Sequence, residues 1–296
     1  MARAMAFGIE CRKEIGEAML DKVDLDQRLA KQEYKAKLPA IQARLYALEW
    51  ACWKQGIPTA ILFEAWGGAG KGEVIKLLTE KLDPRGYQVI PVVPPNTEEA
   101  MKPWMARFWE MIPARGEMAV FDRSWYGRVL WDRFSGEVGE RRLIQAYQDI
   151  REFEAMLAAD GTLFVKLWLH MSKKRQAARL KKMAKDPMTA WKVSESDWWQ
   201  NKHYQKVVKA LEQMLEQTST EYAPWTIVEM EDEHFGRIKV LETVAGGLTS
   251  ALVSRGAELP PEALAARNSE KTAEDRTPGK GKGGEMLGRA MEGEPP

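Results

Sequence analysis

The sequence predicts an α/β protein built on a five-stranded parallel sheet, and two features of its patterning carry that expectation. Five short apolar runs recur along the chain, bounded by glycine, proline or Asp-Gly. Between them lie stretches whose apolar residues fall at three- and four-residue steps, the period of a helix buried on one side. Strands that read as continuous apolar runs, alternating with helices, belong to a parallel sheet covered on both faces.

The elements follow in order. A first helix is expected over Arg28–Gln55, where Leu38, Ile41, Leu45, Leu48 and Cys52 share a face. Pro39 marks either a kink or the true start of that helix, and Gly56 its stop. Pro58 opens a strand over Thr59–Ala65. A helical stretch at 73–82 leads through Gly86 to a strand at Tyr87–Val93, and another at 97–112 leads through Gly116 to a strand at Met118–Asp122. Helical 138–158 ends at Asp160-Gly161, before a strand at Thr162–Leu169. Helical 173–185 is broken at Asp186-Pro187. A helix over 196–219, a strand at Trp225–Met230 and a helix to about residue 253 complete the pattern.

The ends differ from this core. Residues 1–27 are mixed and charged and read as a loosely attached lead-in to a domain spanning 28–255. Residues 256–296 are rich in Gly, Pro, Glu and Lys, and too little apolar area is present to offset their ordering entropy, so they read as a disordered tail.

Composition excludes several classes. Lys and Arg total 44 against 43 Asp and Glu, so the global field is weak and an anionic partner must meet a local basic patch. Cys11 and Cys52 have no CxxC or Cys/His spacing, and His170, His203 and His234 are scattered, so neither a disulfide framework nor a zinc site is indicated. Charges from Glu10 onward leave no room for a signal segment, and no run of 18 apolar residues exists, so a cytoplasmic protein without a membrane partner is expected. No recognised nucleic-acid module is present, so nucleic acid is not an expected partner. The twelve tryptophans read as packing residues.

Three segments carry chemistry. The first is Phe63-Glu64-Ala65-Trp66-Gly67-Gly68-Ala69-Gly70-Lys71-Gly72, between a buried strand and a helix. Small residues such as Gly68, Ala69, Gly70 and Gly72 let backbone N–H groups turn toward one anion, with the helix directing its positive end there. Lys71 then supplies a mobile cation for phosphates. Against GxxxxGK[ST] the match is incomplete: Ala65 takes the first glycine position, and Gly72 stands where a metal-binding hydroxyl is expected. The second segment is Phe121-Asp122-Arg123-Ser124-Trp125-Tyr126-Gly127-Arg128, which places Asp122 at the C-terminal end of a strand, where α/β sheets bind ligands. Asp122 is the candidate Mg²⁺ ligand, and Arg123 and Arg128 offer forked donors to phosphate oxygens. The third is the basic run Lys173–Lys182, six cations in ten residues, followed by Asp186-Pro187 and Trp191-Lys192. It suits either a lid over a polyanion, at about 173–200, or a solvated helix face.

These segments, in this order, resemble the type-2 polyphosphate kinase family. The resemblance is carried by Gly68-Ala69-Gly70-Lys71-Gly72, Leu82-Asp83-Pro84-Arg85-Gly86-Tyr87, Phe121-Asp122-Arg123-Ser124-Trp125-Tyr126 and Asp186-Pro187 with Trp191-Lys192. Asp197-Trp198 and Thr218-Ser219-Thr220-Glu221-Tyr222-Ala223-Pro224-Trp225 extend it, so that it covers about residues 30 to 250. The wording of the Asp122 segment looks closest to the polyphosphate:AMP phosphotransferase branch. The resemblance implies a three-layer P-loop kinase-like fold with a helical lid, Mg²⁺ dependence, a homo-oligomer, and phosphoryl transfer between inorganic polyphosphate and AMP or ADP. On this basis Asp122, Lys71 and Arg123 are expected to be catalytic, with Lys71, Arg123, Arg128, Arg179 and Lys192 lining a basic channel.

The chain departs from the family pattern at its loop. The family usually reads Asp-Ala-Ala-Gly-Lys-Gly, and Gly67 stands in place of that acidic residue. In the lid, Met183 and Thr189 stand where active members often carry basic residues. Two alternatives therefore accompany the phosphotransferase expectation: a non-catalytic nucleotide or polyphosphate binder, and an ATP-dependent nucleotide kinase.

Overall fold

The computed structural model describes residues 19–136 and 138–264. A 3-10 turn at Met19–Lys22 leads to α1 (Lys31–Lys54), β1 (Thr59–Ala65), α2 (Lys71–Thr79) and β2 (Tyr87–Pro91). Two single-turn helices, α3 (Thr97–Ala100) and α4 (Ala106–Trp109), precede β3 (Met118–Asp122). The short helices α5 (Gly127–Leu130) and α6 (Asp132–Ser135) are followed by α7 (Glu140–Ala159) and β4 (Leu163–His170). Between β4 and the last strand run α8 (Lys173–Lys185), a 3-10 turn at Ala190–Lys192, α9 (Glu195–Lys202) and α10 (Tyr204–Thr218). β5 (Trp225–Glu229) and α11 (Glu233–Ser254) complete the domain.

The five strands form one parallel sheet in the order β2-β3-β1-β4-β5. Strand alternation on β4 separates the two faces. Leu163 and Val165 lie against Gly247 of α11, whereas Phe164 packs on Trp125 and Lys166 pairs with Glu154 of α7. α1, α2 and α11 thus cover one face, and α5, α7 and α10 the other, giving the three layers expected. The chain leaves β1 toward β2 and β3 on one side and later crosses to β4 on the other. The C-terminal end of β1 is therefore the switch point at which doubly wound sheets present ligand sites.

Several expectations about the elements are corrected. The helix expected over 97–112 is two single turns separated at Pro103, whose ring cannot donate to a helix ladder. The helix expected over 196–219 divides at His203, where φ −103 and ψ 28 leave the helical region. Pro39 neither breaks nor starts α1; it lies within the helix on an exposed face. Residues 256–264, expected to begin the tail, carry Leu259 and Ala263 into the core cluster. The remainder of the expected tail, 265–296, lies outside the described residues, as do residues 1–18 of the lead-in and Cys11 with them. The described end of the lead-in is attached: the Leu20 amide donates to Glu212 Oε1 at 2.9 Å. Cys52 is buried and free, and burial pushes its thiol up to about 12. Among the described residues no helix is long and apolar enough to cross a membrane.

Candidate active site

The loop between β1 and α2 takes its shape from two glycines. Gly68 (φ 79) and Gly70 (φ 84) sit in the left-handed region, which costs glycine little and residues with a Cβ more. The loop closes on itself through the Ala69 amide, which donates to the Trp66 carbonyl at 3.1 Å. Gly70 caps α2 without a side chain, so the first amides of α2 face outward with no acceptor from their own helix. Such a concave set of N–H groups is suited to an anion. Nothing lies within 4 Å of the place a Cβ would take at Gly72, so packing does not exclude the missing hydroxyl there.

Beneath the loop an aromatic anchor fixes Trp66. Its Nε1 donates to His170 Nδ1 at 3.2 Å, Trp168 Nε1 donates to the same nitrogen at 3.1 Å, and Tyr204 stacks on Trp66 at 4.5 Å. A ring nitrogen accepting twice is unprotonated, and burial holds His170 neutral by pushing its pKa down to about 4. His170 is therefore a loop support.

The C-terminal end of β3 brings the second segment alongside. Phe63 of β1 is in register with Asp122 of β3. Lys71 Nζ meets Asp122 Oδ1 at 2.5 Å, so the two residues expected to handle phosphate and metal form an ion pair. Arg123 follows with φ 68, the one non-glycine residue with positive φ among those described. Its amide donates to the Phe63 carbonyl at 3.1 Å, and its side chain is exposed. Ser124 Oγ donates to Glu64 Oε1 at 2.9 Å and accepts the Tyr126 amide at 3.3 Å. Glu64 is 1% exposed, and its Oε2 has no partner. Burial raises the Glu64 pKa, opposed by Lys71, Ser124 and Arg123.

The turn after Arg123 rests on a buried polar network. Trp125 Nε1 and Tyr126 Oη donate to Glu154 Oε1 at 3.0 and 2.6 Å. Lys166 Nζ donates to Glu154 Oε2 and Tyr126 Oη at 2.8 Å each, and to the Thr218 carbonyl at 2.7 Å. The Thr218–Trp225 segment thus serves Lys166, with the Trp225 ring 5.2 Å from the ammonium.

Helices α8 and α9 grip the loop from above. Ser172 caps α8 by accepting the Arg175 amide at 3.1 Å. Gln176, Arg179 and Leu180 turn inward, while Lys173, Lys174, Lys181, Lys182 and Lys185 stay exposed. Gln200 of α9 accepts the Gly67 amide at 3.0 Å, and Gln176 Nε2 donates to the Gly67 carbonyl at 3.3 Å. Asp197 fills the space that a side chain at position 67 would need, so any Cβ there collides with Asp197 Oδ1. The other oxygen, Oδ2, accepts from the Ser194 amide and hydroxyl at 2.8 and 2.9 Å.

The predicted cations divide into two groups. Lys71 and Arg123 stand at the loop mouth, and Lys192 reaches over the first turn of α2 to Glu73 at 3.5 Å. Arg128 is engaged by its own neighbours, with Asp132 at 3.3 Å and the Trp104 ring at 5.8 Å. Arg179 corrects the expectation that it lines a channel. It is buried, with Nη1 donating to the Ala69 carbonyl at 3.1 Å and Nη2 to the Met230 carbonyl at 2.6 Å, so it braces the loop from behind. Sequence reasoning named Asp197 only as part of the family resemblance, and it missed Gln176, Gln200 and the Glu154–Lys166 pair. Two signals were present: the Ser194-x-x-Asp197 capping pattern, and a lysine inside an apolar strand.

The chain is similar to known proteins over most of its described length. Residues 28–255 match the family model described as polyphosphate kinase 2. The chain is 41% identical over 233 residues to a polyphosphate:AMP phosphotransferase of Pseudomonas aeruginosa, covering 79% of this chain and 47% of that protein. It is 34% identical to NDP-polyphosphate phosphotransferase 1 of Ruegeria pomeroyi, covering 80% of this chain and 78% of that one. A crystal structure of polyphosphate kinase 2 from Arthrobacter aurescens superposes with a TM-score of 0.76 at 29% identity, covering 88% of this chain and 94% of that one. The chain spans about half the length of the polyphosphate:AMP phosphotransferases it matches, 47% in each of two.

Proposed function

The chain belongs to the polyphosphate kinase 2 family, and from that premise we propose that it transfers phosphoryl groups between inorganic polyphosphate and AMP or ADP. The observation that carries the reading is the Lys71–Asp122 pair at the mouth of the glycine-rich loop. A cation and a carboxylate held together in the absence of substrate separate when a phosphate chain arrives. Lys71 then bridges phosphate oxygens as charge builds, and Asp122 orients the acceptor phosphate. Arg123 and Lys192 neutralise the chain on either side. Arg179, Gln176 and Gln200 keep the loop in shape. Positioning and charge neutralisation supply most of the acceleration in phosphoryl transfer, so no covalent nucleophile from the protein is required.

Mg²⁺ fits the donor set. A hard cation of this size needs one or two carboxylates and takes its other ligands from water and phosphate oxygens, and Asp122 offers a partly exposed carboxylate at the loop mouth. Bound there, Mg²⁺ would neutralise charge on the phosphates. The homo-oligomer implied by the resemblance belongs to the same proposal and is checked by light scattering.

The test compares donors. Purified protein with Mg²⁺ and either AMP or ADP is given polyphosphate or ATP, and nucleotide products are resolved by chromatography. Turnover from polyphosphate is expected, and turnover from ATP alone would favour the nucleotide-kinase alternative. Near-normal turnover in folded Asp122→Asn would contradict the assignment. A second reading, a binder without turnover, is favoured by one feature: position 67 has no side chain, and a lid residue fills its space.

A further inference from the structure

Arg123 combines two properties that stability alone does not explain. Its backbone is held in the left-handed region at φ 68, which is unfavourable for a residue with a Cβ. Its guanidinium is exposed and has no hydrogen-bonding or ion-pair partner among the described residues. Backbone strain of this kind persists only where neighbouring contacts over-determine it. Two contacts do so here, both from the end of β1: the Phe63 carbonyl takes the Arg123 amide at 3.1 Å, and Glu64 Oε1 takes the Ser124 hydroxyl at 2.9 Å.

Glu64 is an unusual residue to find in that role. A buried carboxylate ordinarily has both oxygens satisfied, yet its Oε2 is orphaned in a fully enclosed setting. A serine or asparagine could hold the Ser124 hydroxyl at lower desolvation cost. What the side chain supplies there is an acceptor long enough to reach the Ser124 hydroxyl from β1. It therefore fixes the turn through Ser124.

We propose that Glu64 is a positioning residue that acts through Ser124, holding the left-handed turn at Arg123 and so setting the direction of the guanidinium at the phosphate site. The inference rests on the phosphotransfer reading above. It extends that reading to a residue that never touches substrate.

The test is a double-mutant cycle on Glu64→Ala and Arg123→Ala, with Ser124→Ala as the milder break in the link and Glu64→Gln as the conservative variant. Misaimed by about an ångström, a positioning group loses up to roughly 10²-fold in rate. Glu64→Ala and Ser124→Ala should therefore each lower kcat by about tenfold to a hundredfold, with KM for polyphosphate within about threefold. In the Arg123→Ala background, Glu64→Ala should cost less than about threefold more, since coupled residues are not additive. Glu64→Gln, which keeps an acceptor for Ser124, should recover most of the rate. Additive losses, or an unaltered kcat in folded Glu64→Ala, would overturn the inference and leave the phosphotransfer reading standing. Wild-type protein that binds polyphosphate without turning it over would overturn the inference, whose claim is on rate. Wild-type protein that neither binds nor consumes polyphosphate would refute the phosphotransfer reading, and the inference with it.

Discussion

Two glutamates lie wholly buried at the β3–β4 side of this sheet, and their surroundings could hardly differ more. Glu154, 0% exposed, has donors on both oxygens: Trp125 and Tyr126 on one, Lys166 on the other. Glu64, 1% exposed, has a single hydroxyl on Oε1 and nothing on Oε2. The first network is closed, with every polar atom answered inside the protein, and such networks specify a packing arrangement. The second is open and sits where the charges of Lys71, Asp122 and Arg123 converge. The contrast separates architecture from chemistry. The Glu154 network keeps the β3 turn in place, and the Glu64 end faces the phosphate site of the proposed phosphotransfer.

The contrast can be broken most forcefully at Glu154. Removing one member of a buried ion pair leaves an uncompensated charge, so Glu154→Ala should destabilise the fold by about 3–5 kcal/mol in urea unfolding. A loss under 1 kcal/mol would mean the network is not structural. Lys71→Ala should do the opposite, lowering kcat by roughly 10²–10³-fold with the unfolding midpoint nearly unchanged. If it unfolded the protein instead, the open end would be architecture as well.

A third change tests the hold of α9 on the loop. Gly67→Ala drives a Cβ into Asp197 and should cost about 1–3 kcal/mol of stability by overpacking. Adding Asp197→Gly, which clears that space, should recover part of the loss despite the weakened cap at Ser194. Strict additivity in calorimetry would show that the two residues do not meet.

The smallest effect is in pH. Burial raises Glu49 from 4.5 to about 7, so the folded state holds a proton that the unfolded chain has released, and this contribution to stability is lost as pH rises through about 7. His170, lowered from 6.5 to about 4, acts in the reverse sense: its contribution is present above 6.5 and lost as pH falls toward 4. The two slopes oppose one another in the window they share. Urea titrations at pH 5 and pH 8 should show Glu49→Gln losing less stability than wild type on the way up, and equal losses would remove Glu49 as a contributor.

What the sequence disclosed, and what it withheld, follow the same division. The strands, the sheet class, Lys71 and Asp122 were legible because each depends on neighbours within a few residues: an apolar run, a glycine-lysine turn, an aspartate at a strand end. The left-handed glycines at 68 and 70 were implied by residue type. Arg179 reads in sequence as one more cation in a basic run, and only the fold reveals that it faces inward to the Ala69 carbonyl. Gln200 and Asp197 meet Gly67 across 130 or more positions of chain, beyond the reach of any local pattern. The division of the helix at His203 was hidden because residues 195–218 carry no proline or glycine to mark the break.

The most direct measurement is phosphorus NMR of purified protein with Mg²⁺, polyphosphate as the sole donor, and AMP or ADP as acceptor. The account predicts that polyphosphate shortens as the nucleotide gains phosphate, and that Lys71→Ala stops both changes. Polyphosphate of unchanged length beside unchanged nucleotide, with folded wild-type protein present, would contradict it.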